Sequence, residues 1–212
     1  MKKIWDQIYK KGLRNPLVSK NAVCKDNKIV FSIEYGGNNF KTDVVRMDLI
    51  TKEFTSILTE SNSVRTVGVL EDNKIYFSSF NGMAYCINLE GDVFWKTNIG
   101  GGNASFEVLI DEDRIYFFDN ALYCLNKKGG AIVWINECES NDANCTFALS
   151  NQYLFHAETD GKIRCFDKMT GEQIWEYGYQ LYTEHCELIG DKLVTLQSDG
   201  TAIILNPETG KK

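Results

Sequence analysis

The sequence predicts an all-β chain, a single five-bladed β-propeller over residues 1–212, with four-stranded blades and a ring closed by the N-terminal strand. Three observations carry that expectation. Short apolar motifs recur with a period of about 40 residues in three separate registers. Tight-turn signals separate the motifs. The two ends of the chain read as two parts of one repeat.

The first register is aromatic. Trp95, Trp134 and Trp175 stand 39 and 41 residues apart, with Phe54 another 41 before Trp95. Turn residues precede each Trp: Glu90-Gly91-Asp92, Lys128-Gly129-Gly130 and Thr170-Gly171-Glu172. The second register is a β-branched and aromatic run starting at Lys28, Lys74, Arg114, Gln152 and Lys192. The third reads Arg46-Met47-Asp48, Cys86-Ile87-Asn88, Cys124-Leu125-Asn126, Cys165-Phe166-Asp167 and Ile204-Leu205-Asn206. In chain order these give blades at about 21–58, 66–98, 106–137, 145–178 and 186–212, the last completed by residues 1–9.

Within a blade, Asn81-Gly82 reads as a two-residue type I′ turn, because both central residues of that turn need positive φ. Asp160-Gly161 and Asp199-Gly200 repeat the signal. The first blade has extra length between Ser32 and Asp43, a longer hairpin loop. The Trp residues fall on outer strands, where they pack between neighbouring blades. At the C-terminus Asn206-Pro207-Glu208-Thr209-Gly210 stops where blade four runs on to Trp175. The segment Lys3-Ile4-Trp5-Asp6-Gln7-Ile8 supplies the missing outer strand, and such closure protects sheet edges.

The run from Asp167 through Thr170-Gly171 to Trp175 resembles the pyrroloquinoline-quinone-like (PQQ-like) propeller repeat, with a truncated copy at Asn206 to Gly210 and weaker ones at 83–95 and 121–134. The resemblance implies four-stranded blades like those of PQQ-like and WD-type propellers. It says little of activity, since such repeats serve quinone-dependent dehydrogenases and plain scaffolds alike. The adjacent cysteines of the quinone enzymes are absent, as is the Gly-His…Trp-Asp signature of WD propellers, so no cofactor is expected.

Composition narrows the function. At 43% hydrophobic and 25% charged the chain is globular, and a chain of this size buries roughly 70% of its unfolded surface. The net charge is −6 with no basic stripe, which argues against nucleic acid. The start of the sequence carries no apolar secretion segment, and no window is apolar enough to cross a membrane. Seven Cys, three of them at one repeated core position, suit reduced thiols in a cytoplasm.

Catalytic material is sparse. Cys86, Cys124 and Cys165 read as small buried hydrophobes. Cys138 and Cys145, with six residues between them, offer two thiols where a structural zinc wants four ligands, so no metal is expected. His156 sits in an apolar strand and reads as a packed, satisfied residue. His185 enters an inner strand beside Glu184, but neighbouring residues on a strand face opposite ways, so a paired base and nucleophile diverge. The glycines at 100–102 lack the Lys of a phosphate loop, and Asp111-Glu112-Asp113 reads as solvated turn charge.

What remains is the loop face. Glu137, Glu139 and Asp142 form an acidic stretch, and Tyr177, Tyr179 and Tyr182 crowd the next connection, followed by Glu184 and His185. Tyrosine suits interfaces because one end is apolar and the other polar. The expectation is a non-catalytic module that binds a basic protein partner there, such as a cytoplasmic inhibitor or immunity protein masking a toxin or nuclease. A carbohydrate or small-ligand binder is the alternative, and an enzyme with a channel site near Glu184 and His185 is a third.

Overall fold

The computed structural model describes residues 17–18, 22–36, 41–64, 68–100, 107–137, 146–158, 160–178 and 183–212. The chain divides into two compact units, residues 1–96 and 97–212. Among the described residues every regular element is a β-strand, and no helix is long and apolar enough to cross a membrane.

Five sheets follow one another along the chain, and all strands but β1 pair with sequence neighbours. Sheet 1 holds β1 (Leu17–Val18), β2 (Val23–Lys25), β3 (Lys28–Tyr35), β4 (Lys41–Asp48) and β5 (Phe54–Glu60), with β1 and β2 sharing one edge of β3. Sheet 2 is β6 (Val69–Glu71), β7 (Lys74–Ser79), β8 (Met83–Asn88) and β9 (Val93–Asn98). Sheet 3 is β10 (Leu109–Ile110), β11 (Arg114–Phe118), β12 (Leu122–Asn126) and β13 (Ile132–Asn136). Sheet 4 is β14 (Thr146–Leu149), β15 (Tyr153–Ala157), β16 (Lys162–Asp167) and β17 (Gln173–Gly178). Sheet 5 has three described strands: β18 (Thr183–Ile189), β19 (Lys192–Gln197) and β20 (Ala202–Leu205). The outer strand assigned to residues 3–8 by sequence lies outside the described residues.

The middle strands read as unbroken apolar runs because both of their faces are buried. In sheet 4, Leu154 and Phe166 join Tyr116, Phe118 and Cys124 of sheet 3 in one core. The alternate residues Phe155, Ala157, Ile163 and Cys165 join Cys186, Leu193, Ile203 and Leu205 of sheet 5 in another. Period-two alternation thus divides each strand between two cores. In the first unit, Val30, Val44 and Ile57 of sheet 1 meet Ile75, Phe77, Tyr85 and Ile87 of sheet 2 in the same way. Each such side chain contributes roughly 1.5–3 kcal/mol when fully buried.

The turns sort differently from the sequence expectation. Type I′ geometry belongs to Asp26-Asn27 and Asp72-Asn73, where both residues have positive φ. At Asn81-Gly82 only the glycine does, with φ of 72°. There the Gly82 N–H donates to the Ser79 carbonyl at 2.9 Å, and Ser79 pairs with Met83, so the loop is three residues ending in a left-handed glycine. Gly161 and Gly200 close the same bond to Glu158 and Gln197, at 3.1 and 2.9 Å.

A second turn type joins third and outer strands. Asp48, Asp167 and Asn206 each accept two backbone N–H bonds on Oδ1, from the residues two and three further on, at 2.8–3.0 Å. This is the local competition that makes Asp and Asn turn formers. The turns at Asp167 and Asn206 take the outer-strand Trp of the preceding sheet. A Cβ on Gly171 would lie 2.6 Å from the Trp134 ring, and one on Gly210 would lie 2.7 Å from Trp175. Each indole N–H donates to a turn carbonyl, Trp134 to Lys168 at 3.1 Å and Trp175 to Pro207 at 3.0 Å.

Phe54 is not the first member of this series. It follows Glu53 directly and pairs with Met47, whereas Trp175 stands three residues beyond Glu172, the residue closing the equivalent turn. The turn from Asp48 to Glu53 is as long as that from Asp167 to Glu172, so Phe54 holds the place of Gln173 and its 41-residue spacing to Trp95 is not the repeat.

Candidate protein-binding face

In each of sheets 2 to 5 the second and third strands end in a connecting hairpin. Aligned by pairing, the last residue before each hairpin is Ser79, Asp119, Glu158 or Gln197. All four are polar and all are buried, at 0–2% exposure. Sequence reasoning missed them. The signal was available for three, since Ser79, Glu158 and Gln197 each stand three residues before a turn glycine.

Sheet 4 builds the largest charge network at this end. Glu158 is fully enclosed and accepts a bond from Arg164 Nη1, one strand across. The Arg164 Nε donates to Glu176 on β17 at 2.9 Å, and its Nη2 lies 3.7 Å from Asp160 in the hairpin. Burial pushes the guanidinium pKa down, but Glu158, Glu176 and Asp160 outweigh it and raise it. A buried pair with its geometry satisfied is rigid, and removal of one partner is severe. The ladder therefore fixes the exposed carboxylates of Asp160 and Glu176 at the loop end of the sheet.

His156 lies beneath. Its ring stacks on Phe147 at 4.8 Å and meets Phe118 at 4.9 Å, with no exposed surface. The residue is packed as expected but not satisfied as expected. Nδ1 is 3.2 Å from Glu158 Oε1, yet neither ring nitrogen makes a hydrogen bond among the described residues. Packing between two rings fixes the imidazole plane and sets that misalignment.

The inner strands add a second set. Glu107, Thr146 and His185 occupy one register position in sheets 3, 4 and 5, each two residues before a residue paired with the same second-strand site. Glu107 Oε2 accepts the Phe147 N–H at 2.9 Å. Burial raises the Glu107 pKa, while that N–H and the nearby His185 pull it down. His185 itself is exposed, with Nε2 3.4 Å from Glu187 Oε2 on the same side of β18. Glu184 is the extra residue of a β-bulge between Thr183 and His185. The strict alternation assumed for that pair from sequence is suspended at this point.

Of the acidic and tyrosine positions expected to form the face, Glu137 is exposed just after β13. Tyr177 is half-buried, packed against the core of sheets 4 and 5 with Lys212 Nζ 5.8 Å above its ring. Glu139, Asp142, Tyr179 and Tyr182 lie outside the described residues, as do Cys138 and Cys145. In the first unit the corresponding side of the sheets carries Tyr85, whose hydroxyl donates to Glu60 at 2.6 Å, with Lys96 Nζ 4.7 Å from the Tyr85 ring centre. No group of three His, Cys, Asp or Glu side chains among the described residues is placed to hold a metal ion.

Comparison with known proteins settles the lineage. The profile of the family described as outer membrane protein assembly factor BamB matches residues 44–136 and again 85–212. The two matches start 41 residues apart, one repeat, as a profile does when it slides along equivalent units. The chain belongs to this family. It is a PQQ-like repeat β-propeller.

Solved structures agree on the fold. BamB from Moraxella catarrhalis matches with a TM-score of 0.68 at 16% identity, over 88% of this chain and 60% of that one. The computationally designed Ika8 protein matches at 0.66 and 12% identity, over 86% and 69%. The Pan2 WD40 domain of Neurospora crassa matches at 0.58 and 17%, over 71% and 48%. This chain therefore spans about 60% of the length of the BamB structure. No curated protein matches it by sequence.

Proposed function

We propose that this chain is a non-catalytic protein-binding module that holds its partner on the face of second-to-third hairpins and inter-sheet connections. The observation that carries the reading is membership of a family described as an assembly factor, a role exercised on other proteins. Rigid sheets that display variable loops suit such a role. The ladder at Arg164 adds a fixed acidic edge, and the net charge of −6 steers a basic partner towards it. In its narrowest form the reading is a cytoplasmic inhibitor or immunity protein that masks a basic toxin or nuclease.

The five-blade count and its closure by residues 3–8 belong to the same proposal. They are supported by the five repeats and by the three described strands of sheet 5, where sheets 2 to 4 have four.

The test is affinity recovery of the tagged chain from its native cells at moderate salt, with mass spectrometry of what accompanies it. A stoichiometric basic protein, lost when Glu137, Glu139 and Asp142 are replaced together by Lys, is the expected result. Recovery of the chain alone, or a partner indifferent to the triple replacement, overturns the face. Deletion of residues 1–8 tests closure, and an unchanged melting curve sinks it.

A further inference from the structure

On the opposite side of the second unit, two kinds of turn, first-to-second-strand and third-to-outer-strand, converge on a cleft of about 600 Å³. It is lined by Asp111 of sheet 3, by Asn151, Gln152, Tyr153 and Lys168 of sheet 4, and by Asn206 of sheet 5, among others. That volume is in the range of small-molecule sites, roughly 300–1,000 Å³. Its wall is not that of an apolar drug pocket.

Most charges facing it are matched, while Glu208 stands exposed at the rim. Lys168 Nζ lies 2.6 Å from Asp111 Oδ2 and also donates to the Ser150 carbonyl at 3.3 Å. Asp191, at the rim, has Lys192 Nζ at 3.2 Å. At Asp111, Lys168 and Asp191 a charged ligand thus meets groups that already hold counter-charges, and gains little by displacing them. What the cleft offers instead is a dense set of neutral donors and acceptors. Asn151 and Gln152 are exposed amides, each with donor and acceptor ends. The Asn206 Oδ1 is taken up by the N–H groups of Glu208 and Thr209, at 2.9 and 3.0 Å, which leaves its NH₂ as the end to present. Tyr153 is half-buried between the cleft and the core of sheets 4 and 5, an aromatic surface beside the amides.

Planar amides donate and accept side by side and carboxylates accept, which matches adjacent hydroxyls, and an aromatic ring covers the C–H face of a sugar ring. We infer that this cleft binds a neutral polyhydroxylated ligand of mono- to disaccharide size. The site is independent of the loop face and does not rest on the protein-binding proposal.

Two built-in reporters adjoin it. The Trp134 and Trp175 indole N–H groups donate to the carbonyls of Lys168 and Pro207, both of which line the cleft. The experiment is titration of the purified full chain with a panel of neutral mono- and disaccharides, read by tryptophan emission and by calorimetry. The expected result is saturable binding of at least one sugar, insensitive to salt. The double variant Asn151→Ala, Gln152→Ala should weaken it about tenfold or more at unchanged melting temperature, because both side chains are exposed turn residues. A flat response across the panel overturns the inference. So does binding that the double variant leaves intact, or saturation by a lysine-rich peptide that salt abolishes while no sugar binds.

Discussion

The joint between sheets 1 and 2 and the joint between sheets 3 and 4 fasten the same backbone carbonyl with different tools. Counted from the turn residues Asn88 and Asp167, Leu89 and Lys168 hold equivalent places. In sheets 3 and 4 the Lys168 carbonyl accepts from the Trp134 indole at 3.1 Å and from Arg114 Nη1 at 2.9 Å. In sheets 1 and 2 the Leu89 carbonyl accepts from Arg46 Nη1 at 2.8 Å, and Arg46 also lies 3.5 Å from Glu90. Arg46 stands in the third-strand register where sheets 2, 3 and 4 have Cys86, Cys124 and Cys165. Glycine is needed at both joints for different reasons. At Gly171 the obstacle is an aromatic ring, while at Gly91 a Cβ would lie 2.1 Å from the backbone oxygen of Ile57. The difference teaches that the repeat conserves an acceptor to be satisfied and a space to be left empty, rather than a particular side chain.

That comparison is sharpest at the glycines. Gly91→Ala should cost the most, about 4 kcal/mol or more, because φ is +96° and the obstruction is backbone that has nowhere to move. Urea unfolding followed by fluorescence measures it. Gly171→Ala should cost about 2–4 kcal/mol, and Trp134→Leu in the same chain should recover part of the loss in a double-mutant cycle. Additive losses would show that the ring is not what the glycine accommodates.

Removal of the donors should separate the joints again. Arg46→Met withdraws a charged donor from the Leu89 carbonyl and should cost about 1–3 kcal/mol. Trp134→Phe should cost about 1 kcal/mol or less, since Arg114 still holds the Lys168 carbonyl. Equal losses would mean that the indole N–H and the guanidinium serve the joint alike.

The joint of sheets 3 and 4 also has an acidic inner end at Glu107, whose carboxyl pKa is raised by burial. A raised folded pKa contributes stability that is full below the unfolded carboxylate pKa and is lost as pH rises through the folded one. Glu107→Gln should therefore raise the melting temperature at neutral pH and leave it unchanged at acid pH. A gain equal at both would assign the effect to packing. Smallest of all is Lys52→Gly. Lys52, with φ of 65°, holds the turn place of Gly171 and Gly210, and the replacement should shift stability by no more than about 1 kcal/mol.

These contrasts follow how the fold reads from sequence. Strand positions, the period and the core register at Cys86, Cys124 and Cys165 are local patterns, and they were legible. The geometry at Asn81-Gly82 was not, because one residue more in the loop changes the turn type while the dipeptide stays the same. Phe54 misled because its spacing to Trp95 matches the period while its pairing, opposite Met47, is that of Gln173 and not of Trp175. Of the proposed face, Glu137, Glu139 and Asp142 stand out in the sequence by charge alone. The Glu158, Arg164 and Glu176 ladder required three strands to be set side by side, and nothing in their sequence separation announces it.

One feature of the core has a practical side. The described cysteines fall one to a sheet: Cys24, Cys86, Cys124, Cys165 and Cys186. Cys24 is exposed and the other four are buried, with burial lifting the thiols of Cys124 to about 11 and of Cys165 and Cys186 to about 12. A thiol so placed reacts only when its surroundings open. Sheets 2 to 5 thus each carry a native timer. Alkylation rates resolved by peptide would rank the sheets by how often each comes apart, with no label introduced and no residue changed.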